Sequence, residues 1–497
     1  MLGNGASLAY VIPEGILGVT VALVMALGSF KPTRTRGVLA AAGIAGMAAA
    51  LAATAAGVSW PDGTVLAFHG NIVSDGMVAV FRLVFLLTGL LTIVFAYGSD
   101  EVDTRDFGDM TAMIAASVMG MCFMAAAADL LMMYLAMEFV GILSYVLAGL
   151  KREDQRSSEA ALKYVIFGAA SSGVALFGMS LLYGIAGDTS LAAVRAVLVG
   201  HGFEPLGLMA LVMILAGLGY KMAAVPFHMW CPDVYQGAPT PITAFFSVAP
   251  KAAGFALTLR LMDLLLGGID GDAGASLGHG LAVLIGLVSM ATMTVGNLSA
   301  LKQTSVKRLL AYSSIAHAGY LLMGVATIPA IMGPSPDYTG FRAVFFYLVI
   351  YLFMNLGAFL VVTRVVTRLG SDDVSAFRSL GRRSPLAAVV MAIFLFSLVG
   401  LPPTAGFAGK FYLFYAILSQ GSAFFYILAL VGVANSFISL FYYARIVRVM
   451  FLDKSPDTRP VPVGALAAVV LVILAIPTIL FGIWFGPLVD LAGWVFI

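Results

Sequence analysis

The sequence is poor in charged residues and in cysteine. Only 10% of its 497 residues are Asp, Glu, Lys or Arg, whereas a soluble domain usually carries about 25%. The two cysteines, Cys122 and Cys231, lie far apart and form no CxxC pair, zinc pattern or iron–sulfur run. No GxGxxG fingerprint follows a strand, and no haem motif is present. We therefore expect no cofactor or metal on this chain, and the net charge of +2 predicts no nucleic-acid partner.

Apolar residues, by contrast, make up 61% of the chain. A soluble fold of this length cannot hide so much apolar surface, because its outer surface also has to be covered. A lipid bilayer removes that constraint, since lipid surrounds the apolar side chains while helices satisfy their own backbone hydrogen bonds. The composition therefore predicts an all-α integral membrane protein.

Apolar runs of roughly 20 residues, long enough to cross the hydrocarbon, occur about fourteen times along the chain. The predicted transmembrane helices are 8–28, 37–57, 76–97, 109–127, 129–149, 159–184, 206–225, 240–264, 277–299, 306–329, 341–366, 385–418, 424–450 and 463–487. Pro226 and Pro232 interrupt one region and Pro402-Pro403 another, so both are predicted to be broken helices.

The distribution of basic residues predicts the orientation, because cytoplasmic loops of membrane proteins are rich in Lys and Arg. With the N-terminus outside, the inward loops hold 20 of the 27 Lys and Arg residues, and the outward loops hold only Arg195 and Arg342. Both termini are therefore predicted on the outer side. Two inward loops, 98–108 and 226–239, give weak support, since the first is acidic and the second has no basic residue. Residues 185–205 are predicted to contain a short interfacial helix.

Five titratable residues are predicted at mid-membrane depth, where a charge is costly and normally faces a polar interior. They are Glu138, Lys221, Lys251, Lys410 and His317. A desolvated lysine gives up its proton more readily because burial disfavours its charged form, while a nearby carboxylate favours that form. Glu138 and Lys221 are the natural candidates for such a pair. A proline-broken helix frees backbone carbonyls and admits water, which a proton-conducting path requires. The pattern therefore favours a proton relay over ion pairs that only fix helix packing.

Other charged residues have simpler interpretations. Arg82 and Arg260 lie nearer the span ends, where their side chains are expected to extend toward the membrane surface. Lys163 follows Glu159 by one helical turn and is expected to form a surface ion pair with it. Lys307 begins the tenth span, where it either anchors the helix or forms a cytoplasmic entrance to the relay.

The order of the helices is consistent with two repeats. Spans four to eight and nine to thirteen each contain five helices, an odd number, so consecutive repeats would insert with opposite topology. Both place a proline-broken helix, carrying Lys221 or Lys410, at the fourth position. The predicted division is residues 1–108 for the first three helices, 109–265 and 266–450 for two inverted five-helix repeats, and 451–497 for the C-terminal helix.

Three long stretches resemble a known family. They read GYKMAAVPFHMWCPDVYQGAPTPITAFFSVAPKAAGF, LKQTSVKRLLAYSSIAHAGYLLMG and LPPTAGFAGKFYLFYA, and they contain Lys221, Lys251, His317 and Lys410. They are similar to the antiporter-like membrane subunits of proton-pumping NADH:quinone oxidoreductase, respiratory complex I. The VYQGAPTP segment and Lys410 match the N type of these subunits better than the M or L types. The resemblance covers most of the chain.

The resemblance implies a fourteen-helix bundle that translocates protons, driven by quinone reduction elsewhere in the complex. It implies that a hydrated axis crosses the membrane through Glu138, Lys221, Lys251 and Lys410, assisted by Lys307 and His317. It further implies that NADH, FMN, iron–sulfur clusters and quinone bind partner subunits, and that the partners of this chain are other membrane-arm subunits and lipids. The alanine-rich composition favours a bacterial source, and hence the cytoplasmic inner membrane, over the alternative of a mitochondrial inner membrane.

Three other functions share this pattern. The chain would fit a subunit of a multi-subunit cation/proton antiporter with no redox partner, or a related chain of a photosynthetic or other quinone-linked dehydrogenase. A purely structural scaffold is the third alternative, and it predicts that Lys221→Ala leaves pumping intact. Copurification of flavin and iron–sulfur subunits would distinguish the respiratory complex from the antiporter.

Overall fold

The computed structural model describes residues 3–30, 35–61, 63–200, 205–266, 272–330, 338–457 and 459–495. Helices make up almost all of the fold within these ranges. In chain order they are α1 Asn4–Ser7, α2 Ile12–Ser29, α3 Arg36–Ala55, α4 Gly76–Tyr97, α5 Phe107–Ala126, α6 Leu130–Ala148, α7 Gln155–Ala186, α8 Leu191–Gly200, α9 Pro205–Met222, α10 Trp230–Gly237, α11 Thr240–Leu266, α12 Asp272–Leu301, α13 Val306–Ala330, α14 Thr339–Leu369, α15 Leu380–Arg383, α16 Pro385–Val399, α17 Ala405–Leu418, α18 Ala423–Phe451, α19 Ala465–Ile483 and α20 Gly486–Val495. Short 3₁₀ turns cover Leu8–Val11, Phe68–Gly70 and Val374–Phe377.

The number of membrane crossings agrees with the sequence. Within the described ranges, 13 continuous stretches are long and apolar enough to cross a bilayer. Two shorter apolar helices, α16 and α17, together cover the remaining predicted span, 385–418. The prediction of a largely helical membrane protein is therefore confirmed, while its division into two five-helix repeats stays a prediction.

The first predicted helix break lies between α9 and α10. α9 ends at Met222 and α10 begins at Trp230, so the chain around Pro226 is not part of either helix. Pro232 does not interrupt a helix, because it lies in the first turn of α10, where the missing backbone donor has no partner to lose. The break leaves the end of α9 open to side chains, and the Trp230 indole nitrogen donates to the Tyr220 carbonyl at 3.2 Å.

The second predicted break lies between α16 and α17. α16 ends at Val399, α17 begins at Ala405, and Pro402-Pro403 lies between them. Gly400 takes a left-handed conformation with φ of 88°, which ends α16 at little cost because glycine lacks a Cβ. Both regions that the prolines marked are therefore broken, as predicted.

A β-hairpin between α3 and α4 was not predicted. β1 Val65–Ala67 pairs antiparallel with β2 Ile72–Ser74. Ala67 and Ile72 pack with Val78 of α4 and Ala126 of α5 in a small apolar cluster. Three-residue strands are too short to produce a recognisable alternation in the sequence. The fold is therefore all-α, as predicted, apart from this one short hairpin among the described residues.

The helices differ widely in burial. The apolar stretch of α11 is completely buried, and those of α13 and α14 nearly so. By contrast α2, α3, α7, α18 and α19 are only about a third buried, and they expose large apolar side chains such as Leu430 and Phe441. A soluble protein rarely exposes such extensive apolar surface, whereas a bilayer accommodates it. The centre of the bundle is therefore formed by α11, α13 and α14.

Two arginines that were expected to extend toward the membrane surface are buried in ion pairs instead. Arg82 Nε donates to Glu14 Oε1 at 2.8 Å and joins α4 to α2. Arg260 of α11 donates to both carboxylate oxygens of Asp75 at 2.6 and 2.9 Å, and Asp75 also caps α4 by accepting from the Val78 backbone nitrogen. The prediction was wrong because each arginine has a carboxylate partner far away in the sequence, which compensates its buried charge.

The loop regions follow the predictions in part. The short helix predicted within 185–205 is α8, and residues 201–204 lie outside the described ranges. Asp129 separates α5 from α6 without a loop, because its carboxylate accepts from the backbone nitrogens of Leu131 and Met132 and caps α6. The last predicted span ends early, since α19 stops at Ile483 and a separate helix, α20, follows it.

Candidate functional site

The titratable residues singled out in the sequence lie inside the helix bundle. Their side chains are at most 6% exposed, except for Glu138, which is half-buried; the buried residues are Lys221, Lys251, Lys307, Lys410 and His317. They come from α6, α9, α11, α13 and α17. Buried ionisable groups must be satisfied by polar partners, so the partners of each group indicate what it can do.

Glu138 and Lys221 were predicted to form a pair. The two form no ion pair within 4.0 Å in the described part of the chain. Gly141 makes room for the lysine, because a Cβ at that position would lie 3.0 Å from Lys221 Nζ and 3.2 Å from the Tyr145 hydroxyl. Glu138 Oε1 is buried and finds no hydrogen-bond partner within the described ranges. The predicted pair therefore forms no direct ion pair among the described residues, although Lys221 lies against the helix that carries Glu138.

An aromatic cluster separates Lys221 from Lys251. Tyr164 stacks on Trp230 with ring centroids 4.4 Å apart. The Tyr235 ring lies 5.5 Å from Lys251 Nζ, where its π face attracts the cation. Sequence reasoning did not identify these aromatic residues, because packing and site roles look the same in an apolar sequence.

Lys251 lies beside a group of hydroxyls and an imidazole on α13 and its neighbours. Lys251 Nζ donates to Ser314 Oγ at 2.5 Å. His317 Nδ1 is 2.6 Å from the Tyr347 hydroxyl and His317 Nε2 is 3.3 Å from the Tyr443 hydroxyl. Tyr443 also hydrogen-bonds to Ser313, next to Ser314. Imidazole and hydroxyl groups both donate and accept hydrogen bonds, so this group can pass a proton along.

Lys410 binds at the break between α16 and α17. Its Nζ donates to the Val399 carbonyl at 2.8 Å and to Ser436 Oγ at 3.2 Å. The carbonyl is free because α16 ends at this residue. The Tyr320 ring lies 4.4 Å from the same ammonium and supplies a π face. The break thus creates the site that holds Lys410.

Polar side chains connect the Lys410 site with the His317 group. The Ser436 hydroxyl donates to the Tyr320 hydroxyl at 3.4 Å, and Asn297 Nδ2 donates to the same hydroxyl at 3.3 Å. The Tyr442 hydroxyl donates to Asn297 Oδ1 at 2.9 Å. The rings of Tyr442 and Tyr443 are 4.4 Å apart. Asn297, Tyr320 and Tyr442 were not predicted, because an isolated Asn or Tyr in an apolar helix carries no recognisable motif.

Lys307 lies beside the start of α11, where it binds the segment that precedes this helix. Its Nζ donates to the Gln236 and Ala238 carbonyls at 3.0 and 2.6 Å. The neighbouring Arg308 binds Asp233 at 2.6 Å, so it belongs to an ion cluster. Lys163 is paired with Glu159 at 2.7 Å, as predicted, and also with Asp233 at 2.6 Å. Within the described residues, no group of three or more His, Cys, Asp or Glu side chains could hold a metal ion.

The helices that carry these groups match a known family. The model of the family described as NADH:quinone oxidoreductase/Mrp antiporter, TM, matches residues 127–439, which include every residue of the predicted relay. The chain belongs to this family. Among the family's curated members, it is 47% identical to NADH-quinone oxidoreductase subunit N 2 of Sorangium cellulosum, over 98% of this chain and 97% of that relative.

Two solved structures have the same fold as this chain. A chain in the respiratory complex I from Thermus thermophilus with bound Aureothin is 30% identical, with a TM-score of 0.79, over 96% of this chain and 99% of that chain. A chain of the Mrp complex from Dietzia sp. DQ12-45-1b is 22% identical, with a TM-score of 0.80, over 98% of this chain and 96% of that chain. The second likeness concerns the fold alone.

Proposed function

We propose that this chain is the N-type membrane subunit of a proton-pumping NADH:quinone oxidoreductase. It carries protons along Glu138, Lys221, Lys251 and Lys410, with Lys307 and His317 assisting. The observation that carries the proposal is that buried lysines lie beside hydroxyls and an imidazole in the helix bundle. The chain that holds them is 47% identical to a subunit N over nearly its whole length. Neither a scaffold nor a lipid anchor requires several buried lysines at this depth.

The partners of the lysines support proton transfer. Lys251 binds a serine hydroxyl, and Lys410 binds a carbonyl and a serine hydroxyl. These partners are neutral, so a lysine that loses its proton does not leave an opposite charge unpaired in the interior. Each of these lysines can therefore change charge without disrupting its own site, and a carboxylate such as Glu138 would supply a counter-charge for Lys221.

The order of the groups suggests how the relay is driven. A displacement of Glu138, caused by quinone reduction in another subunit, would weaken the hold on the Lys221 proton. The proton would pass toward Lys251, the Ser313–His317 group and Lys410, which binds Val399 and Ser436 at the break between α16 and α17. Lys307 lies beside the start of α11 on the predicted cytoplasmic side and would supply replacement protons.

The remaining parts of the proposal follow from the same role. NADH, FMN, iron–sulfur clusters and quinone would bind partner subunits, and this chain would contact other membrane-arm subunits and lipids. The chain would lie in a bacterial cytoplasmic membrane with both termini outside. Its predicted division at residues 108, 265 and 450 into two inverted repeats is part of this proposal.

Variants of the first pair test the proposal. Lys221→Ala and Glu138→Ala should each reduce proton pumping and coupled quinone reduction while the chain still assembles, because each removes a relay charge without a direct bonding partner. Acidification of membrane vesicles, NADH oxidation and the amount of assembled complex are measured together. Lys302→Ala, which removes an exposed lysine, is the matched control. Normal pumping by both Lys221→Ala and Glu138→Ala would rule out the relay.

A subunit of a multi-subunit cation/proton antiporter is the second candidate, and the shared fold with a chain of the Mrp complex favours it. The two functions differ in their partners. Purification of the chain from its native membrane should bring flavin and iron–sulfur subunits with it if the first proposal is correct. An assembly of membrane subunits alone would support the antiporter.

A further inference from the structure

Glu101 lies in the loop between α4 and α5, outside the region that the family model matches. Its side chain is only 8% exposed. Oε2 accepts from Lys151 Nζ at 2.6 Å and from the Thr240 backbone nitrogen at 3.1 Å. Oε1 is buried and has no hydrogen-bond partner among the residues that the structure describes. A buried carboxylate on a loop is costly unless it serves a charged partner.

Besides Lys151, the positive charge of Lys307 acts on Glu101, although Glu101 and Lys307 form no ion pair within 4.0 Å among the described residues. The two residues hold the same short segment between α10 and α11 with opposite polarity: Lys307 donates to the Ala238 carbonyl and Glu101 accepts from the Thr240 nitrogen. Burial alone would raise the pKa of the Glu101 carboxyl, but the charges of Lys307 and Lys151 hold its pKa below the ordinary value. Glu101 is therefore ionised at neutral pH and places a fixed negative charge near Lys307.

Lys151 connects this arrangement with Glu138. Lys151 follows the end of α6 at Ala148, and α6 is the helix that carries Glu138. Lys151 also lines an open polar cleft of about 940 Å³ together with Glu101, Arg152 and Glu153, so the cluster is reached by solvent. A shift of α6 would move Lys151 and alter how strongly Glu101 is shared between the two lysines.

We propose that Glu101 is a positioning residue for Lys307, and that Lys151 couples it to the helix of Glu138. This inference rests on the proposed proton-pumping function and adds a residue to it. Glu101 holds the start of α11 in place and keeps Lys307 bound to the carbonyls that precede this helix. The loop of residues 98–106 thereby links the Glu138 helix to the proposed proton entrance.

Variants of Glu101 in the whole complex test the proposal. Glu101→Gln should reduce protons pumped per NADH oxidised by about fivefold, a size typical of directly coupled residues. Glu101→Asp should restore most of the pumping, because it keeps the charge, whereas a merely structural role would not favour Asp over the isosteric Gln. Glu153→Gln, which removes an exposed carboxylate from the same cleft, should pump normally.

Double variants decide whether Glu101 acts through Lys307. In a Lys307→Gln background, Glu101→Gln should cause no further loss, and Lys151→Gln should have no effect once Glu101 is Gln. Independent, multiplying losses would overturn the proposal, as would normal pumping by Glu101→Gln. If the Glu101→Gln complex does not assemble, pumping by Lys151→Gln and by Glu101→Asp is compared with pumping by the unmodified complex. Normal pumping by Lys151→Gln would then overturn the proposal. If Glu101→Gln pumps normally while Lys221→Ala does not pump, the role proposed for Glu101 is wrong and the proposed proton-pumping function is still supported.

Discussion

Buried arginines and buried lysines have different kinds of partner in this chain. Arg82 and Arg260 each bind a carboxylate within 3 Å, at Glu14 and Asp75. Lys410 binds a carbonyl, a hydroxyl and a ring face instead. An arginine keeps its proton and needs a permanent counter-charge, whereas a lysine with neutral partners tolerates the loss of its proton. The two kinds of partner separate groups that fix the structure from groups that can transfer protons.

Lys410→Arg tests this distinction at one residue. The substitution keeps the positive charge, but a guanidinium does not release its proton at physiological pH. Pumping in vesicles should therefore fall by at least about tenfold, within the range that proton-transferring groups contribute. Lys410→Ala should be impaired to a similar degree. Nearly normal pumping by Lys410→Arg would mean that charge alone is required at this position.

The helices α16 and α17 depend on a close contact at their break. The Gly406 backbone nitrogen donates to Ser397 Oγ at 3.0 Å, and a Cβ on Gly406 would lie 1.7 Å from the Ser397 carbonyl oxygen. Only glycine allows the first turn of α17 to pack this closely against the last turn of α16. This packing brings Lys410, one turn further along α17, to the Val399 carbonyl.

Gly406→Ala should therefore separate the two half-helices and displace Lys410. We expect a loss of stability of about 1–3 kcal/mol, as for other overpacked interiors, together with reduced pumping. Thermal unfolding of the purified complex and vesicle acidification measure the two effects. Gly173→Ala is the matched control, because a Cβ there meets nothing within 4 Å. Equal behaviour of the two variants would contradict the proposed packing role.

Sequence patterns predict the elements better than their contacts. Apolar runs located the spans and prolines located both breaks, because length and backbone chemistry are local properties. The contact of Gly406 with Ser397 could not be predicted, because nothing in the sequence distinguishes this glycine from the many others in the chain. The hairpin at Val65–Ala67 was missed for a related reason, as three residues give no periodicity.

The orientation of the whole chain can be tested with the native cysteines in place. Cys122 and Cys231 are buried, so a membrane-impermeant thiol reagent should leave the unmodified chain unlabelled. With both termini outside, Glu153→Cys should react only from the cytoplasmic side and Asp188→Cys only from the opposite side. Both positions are exposed. Labelling of both from the same side would contradict the predicted topology.

Long-range pairings were the part of the site that the sequence could not reveal. Glu14 and Arg82 are 68 residues apart, and Asp75 and Arg260 are 185 apart. Each arginine was interpreted from its position in its own helix, where extension toward the surface was reasonable. The buried lysines were found because several of them occur at one depth, whereas the tyrosines and Asn297 that connect them resemble ordinary packing residues.

The complete burial of α11 has a consequence for how the chain is made. This helix carries Lys251 and Arg260 and presents no apolar stretch to lipid. When this helix first leaves the ribosome, Lys251 lacks its partner because Ser314 is synthesised later, whereas Arg260 can pair at once with Asp75, which is already made, only if the start of α4 lies beside it. A lone helix of this kind is poorly held by lipid. Biogenesis must therefore retain α11 at the insertion machinery, or against α4, until α13 and α14 emerge to enclose it.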